Sequence, residues 1–71
     1  MTFDEIEHGK IYECQMTGKI APLVVQDKLP TGILAKNLDS GREVFINKVD
    51  VPRRFKTRIA NMSEWRLHNG D

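Results

Sequence analysis

The groups able to do chemistry in this chain are few: one thiol, two imidazoles, ten carboxylates and a run of cations past residue 52. A thiol becomes a useful nucleophile near neutral pH only beside a base or cation, and for Cys14 the bases on offer are His8 and His68. No glycine-flanked nucleophile turn surrounds Cys14. It lies between Tyr12 and Met16 in an alternating segment, the place of a small core residue. Zinc wants three or four ligands, usually in two local pairs, and two histidines sixty residues apart with a single cysteine do not supply them. The carboxylates are either clustered at the start (Asp4, Glu5, Glu7) or scattered over turns (Asp39, Glu43, Asp50). Acid–base hydrolysis needs a concave site holding substrate between two carboxylates, and these read instead as solvated or turn-forming residues. Gly9-Lys10 and Gly18-Lys19 place a lysine after a glycine, but neither belongs to a phosphate-cradling motif. The expectation is a protein that is not an enzyme and that uses no metal or cofactor.

The cations carry more information. From Met1 to Pro52 there are six lysines and arginines against eight acids, a net of −2, whereas Arg53 to Asp71 holds five against two, a net of +3. Arg53, Arg54, Lys56 and Arg58 fall within six positions. If that stretch is helical, Arg54 and Arg58 share one face and Phe55 and Ile59 the opposite one. Arginine pairs bidentately with phosphate, and phosphate contacts supply most non-specific affinity for nucleic acid. Thr57 and Asn61 would add polar contacts, and Lys36, Arg42 and Lys48 would join if a central hairpin lay alongside. The competing reading is a solvated charged face, and a chain of overall charge +1 is not a strong non-specific binder. Phe45, between the inward-facing Val44 and Ile46, is a candidate exposed platform for a base or a peptide, unless Phe55 or Trp65 covers it.

Strands must position these groups. Lys10 to Thr17 alternates, with Tyr12, Cys14 and Met16 on one face. Pro22 to Asp27, Gly32 to Leu38 and Glu43 to Asn47 follow, separated by the Lys28-Leu29-Pro30-Thr31-Gly32 and Asp39-Ser40-Gly41-Arg42 turns. The last two strands form a hairpin. Phe55, Ile59 and Met62 then recur at helical spacing, with Asp50 as a cap and Pro52 in the first turn, so a short helical segment is expected near residues 52–60. Ile59 to Met62 reads equally well as strand. Glu64 to His68 alternates again, with Trp65 and Leu67 inward, as a closing strand would. Seventy-one residues, 39% hydrophobic and 30% charged, make one small folded domain over 1–71. A single cysteine rules out an internal disulfide, and the acidic start resembles neither a secretory nor a transit peptide. A cytoplasmic setting without membrane contact is therefore expected.

A meander of four short strands, a helical turn and a last strand returning to the first is the order of a small barrel, and curling the sheet removes exposed edges. In strand count and turn placement, residues 9 to 68 resemble the SH3-like small barrels, which include Tudor, KOW and Sm-like modules. The resemblance implies a mainly β fold of about five strands and a surface that binds RNA, DNA or peptides. The expected function is a non-enzymatic binding module contacting nucleic acid through Arg53, Arg54, Lys56 and Arg58. The alternative is a protein-binding accessory factor, such as a phage-type inhibitor, that docks on a larger host complex like the transcription machinery. Phe45 or Trp65 would then be its buried anchor.

Overall fold

The computed structural model of the chain describes residues 1–61, and their side chains as far as Ile59. It is mainly β: five antiparallel strands and one short helical segment. The strands are β1 (Lys10–Met16), β2 (Lys19–Leu29), β3 (Gly32–Asn37), β4 (Glu43–Asn47) and β5 (Phe55–Asn61). Between β4 and β5 lies a 3-10 turn, Lys48–Asp50, that runs straight into the helical turn α1 (Val51–Arg54). A further 3-10 turn, Phe3–Glu5, precedes β1. The first four strands read in the sequence are observed, β2 being longer than the expected Pro22–Asp27 at both ends.

The strand order is β4-β3-β2-β1-β5, so the last described strand does return to the first. Among the described residues the sheet is open, with β4 and β5 as its two edges. The N-terminal segment shows why closure is not needed to bury the concave face. Ile6 is 1% exposed within the core cluster, and Met1 and Phe3 pack against it. The Tyr12 hydroxyl accepts the Glu7 N–H at 2.9 Å, and the Met1 ammonium donates to the Phe55 carbonyl at 3.3 Å. The expected closing strand with Trp65 and Leu67 lies outside the described residues, as does Met62.

The core is read off the register. Tyr12 and Cys14 face inward with Leu23 and Val25, Ile33 and Ala35, and Ile46, and the cluster is completed by Val51 and Phe55. Tyr12 and Phe55 meet edge to face, centroids 5.7 Å apart, an arrangement favoured by the ring quadrupoles. Ile11 and Val24 are cross-strand partners on the opposite face and are also buried. The β2–β3 ladder is irregular at one place: its register shifts between Val25 and Asp27, a bulge at Gln26. Before the bulge, odd-numbered β2 residues face the core; after it Lys28 pairs with the fully buried Ile33. The bulge thus turns Lys28 towards the concave face, where strict alternation would put it outside.

Helical structure ends sooner than the Phe55–Ile59–Met62 spacing suggests. It covers Lys48–Asp50 and Val51–Arg54, with Pro52 in the first turn as expected, and Phe55 is already extended. Phe55 pairs with Cys14 and Arg58 with Tyr12, with two register shifts along the β1–β5 ladder. A helix of one turn has few internal bonds to gain, whereas β5 satisfies its backbone against β1 and suits the β-branched Thr57 and Ile59. Asp50 stands in the cap position but makes no capping bond; its carboxylate takes the Arg53 guanidinium instead. Ile59 lies in β5, as the strand alternative has it, and is 40% exposed.

Candidate functional site

Arg53, Arg54 and Lys56 meet where α1 hands over to β5. Arg53 and Arg54, with Gln15, Met16 and Thr17 from the end of β1 and its turn, line a cleft of about 200 Å³. Arg54 is half-buried, and its guanidinium donates to the Gln15 carbonyl at 3.2 Å, which fixes the head group at the cleft wall while leaving other N–H donors free to point into it. The Lys56 ammonium donates to the Arg53 carbonyl at 3.0 Å. The two side chains that line the cleft and the lysine folded over their backbone therefore form one basic corner. Arg53 shares its charge with Asp50. Arg54 and Lys56 meet no carboxylate among the described residues.

Arg58 stands apart from this corner. Because Phe55–Asn61 is a strand, Arg54 and Arg58 do not share a helix face, and that expectation is corrected. Arg58 reaches the Glu7 carboxylate at 3.7 Å, both side chains being half or more exposed. Thr57, expected as a polar contact, instead donates its hydroxyl to Glu13 at 2.7 Å. Nor does the β3–β4 hairpin lie alongside as one basic strip. Lys36 pairs with Glu43 next to Arg42 at one end of the hairpin, while Lys48 follows the Gly32–Asn47 pair at the other. Four residues of strand separate those ends, about 13 Å.

Phe45 faces outward, as the Val44/Ile46 alternation predicts, and is 44% exposed on the edge strand β4. Phe55, proposed as a cover for it, is in the core, and Trp65 lies outside the described residues. The Phe45 ring rests on Gly32, where a Cβ would lie 2.6 Å from its Cζ.

The sequence missed two participants, Lys28 and Phe3. The Lys28 and Lys48 ammoniums lie 4.7 and 5.0 Å from the centroid of the Phe3 ring. Only the Gln26 bulge brings Lys28 there, and no residue type at position 26 announces a bulge.

Cys14 is fully buried on the inward face, as its segment predicts. Burial pushes its thiol up to about 11, against the opposing pull of the nearby Arg54 and Lys56 charges. At neutral pH it is a thiol, not a thiolate. Among the described residues no three histidine, cysteine or acidic side chains gather as a metal site would require, and no helix is long and apolar enough to cross a membrane. No protein-family model, no curated protein and no solved structure matches the chain.

Proposed function

We propose that this chain is a small non-enzymatic binding module of SH3-like barrel type that contacts the phosphate backbone of nucleic acid through Arg53, Arg54 and Lys56. One observation carries the reading: Arg54, which meets no carboxylate among the described residues, lines an open cleft with Arg53, and Lys56, equally without a carboxylate, sits on the Arg53 carbonyl beside it. A half-buried guanidinium pinned by one carbonyl is already ordered, so an incoming phosphate finds it without further loss of side-chain freedom. The neighbouring Thr17 hydroxyl offers a neutral polar contact. Arg58, Lys36 and Arg42 belong to other parts of the surface and act at most through long-range attraction, which salt screens. The test is a titration of isotope-labelled protein with single-stranded and duplex oligonucleotides. Shifts concentrated on residues 15–17 and 53–56 support the reading. Shifts spread evenly over every exposed cation, or none, defeat it.

A second reading has its own support. Phe45 is a large apolar side chain left exposed on β4, an edge strand among the described residues, and such an edge offers backbone groups to an added strand of a protein partner. In that version the chain is an accessory factor docking on a larger complex. Recovery of one stoichiometric protein from lysate after nuclease treatment, lost on Phe45→Ser, selects it over the first.

A further inference from the structure

We infer a second anion site, distinct from the arginine cleft, in which Lys28 and Lys48, gathered at the Phe3 ring, hold a phosphate or diphosphate group between their ammoniums. The two lysines come from different elements, the end of β2 and the 3-10 turn after β4. Both ammoniums approach the same ring, at 4.7 and 5.0 Å from its centroid, which keeps them within about 10 Å of one another. Neither meets a carboxylate among the described residues. Two like charges gathered on one aromatic ring repel each other, and a single carboxylate would leave one of them uncompensated. A phosphate monoester carries close to two negative charges at neutral pH, a diphosphate about one more, and both offer several acceptor oxygens, so either can satisfy both ammoniums at once.

Several features of the fold assemble this pair. The Gln26 bulge is what directs Lys28 to the concave face beside Ile33. The Thr31 carbonyl accepts the Lys48 N–H at 2.9 Å, fixing the backbone from which the second lysine springs. Phe3 is itself held by packing against the core. Free lysine side chains lose much rotamer entropy on binding; ammoniums already held at a ring have lost part of it beforehand. Phe3 is accordingly a positioning residue, and the two ammoniums are the binding groups.

This site stands independently of the nucleic-acid reading, since inorganic pyrophosphate alone probes it. Titrated into the labelled full chain, pyrophosphate should give saturable shifts at residues 28, 31, 32 and 48. Lys48→Gln, a change at an exposed position, should weaken binding by about tenfold, the cost of losing one charge-assisted hydrogen bond. Lys28→Gln with Lys48→Gln should abolish it, and Phe3→Leu, which keeps the packing but not the ring, should weaken it several-fold. Arg54→Gln with Lys56→Gln should leave it unchanged, while removing the oligonucleotide response if the arginine cleft reading is right. Shifts reproduced by sodium chloride at matched ionic strength, or undiminished in Lys48→Gln, overturn the site. A short oligonucleotide added separately identifies the source of the group: shifts at the same four residues assign it to a nucleic-acid strand, and their absence beside a pyrophosphate response assigns it to a free phosphate compound.

Discussion

The thiol of Cys14 shows how burial decides chemistry. Its ordinary value of 9.0 rises to about 11 on folding, so between those two values the unfolded chain gives up a proton that the folded chain keeps. The unfolded state is then favoured as pH rises, and this contribution to stability, complete below pH 9, is lost progressively towards pH 11. Melting temperature should therefore fall more steeply with pH across that window in the native protein than in Cys14→Ala; parallel curves would show that the thiol is not buried as described. Gly32 makes a second point at the same scale. A Cβ there would overlap the Ile46 carbonyl oxygen, which is backbone and cannot move aside cheaply. Gly32→Ala should cost about 1–3 kcal/mol in urea denaturation, and a loss below a few tenths would contradict the tight β3–β4 approach. The exposed Glu7–Arg58 pair is the opposite case. Arg58→Gln should change stability by no more than about 0.5 kcal/mol, as solvated pairs of this separation do.

Among the elements, the N-terminal segment and β5 are where local pattern and tertiary structure part company. Residues 1–9 offer no alternation, yet Ile6 is buried and Tyr12 holds the Glu7 amide. A single apolar residue in an acidic stretch carries no periodic signal, so its burial could not be read in advance. Tyr12→Phe should lower stability by about 1 kcal/mol and speed amide exchange at Glu7, because the N–H is left without its acceptor. In β5 the Phe55–Ile59–Met62 spacing fits a helix, but the β1 edge offers backbone partners from Phe55 to Asn61, if with two register shifts, and that outweighs a marginal helical preference. Backbone scalar couplings should be small over 51–54 and large from Phe55 onward; small values through Ile59 would restore the helix. The four earlier strands were legible because each has an apolar face and a glycine- or proline-bearing turn beside it. Gly18 and Gly41, at φ of 78° and 77°, occupy the left-handed conformation in two of those turns. Of the basic site, the cluster at residues 53–56 was visible in composition. The departure of Arg58 and the arrival of Lys28 were not, since one follows from helix giving way to strand and the other from a bulge.

At the scale of the molecule, a chain of net charge +1 gathers two small groups of cations on a mixed surface: Arg53, Arg54 and Lys56 at one corner, Lys28 and Lys48 on Phe3 at another. Near-neutrality keeps non-specific attraction low, so binding must come from these groups acting locally. The most direct measurement is the affinity for a single-stranded oligonucleotide across a salt series, for the native protein and for Arg54→Gln with Lys56→Gln. Three phosphate contacts predict a slope of log K against log salt of about −2, falling to about −0.7 in the double variant. A flat native response, or one that the double variant leaves unchanged, would contradict the assignment of this basic corner to nucleic acid.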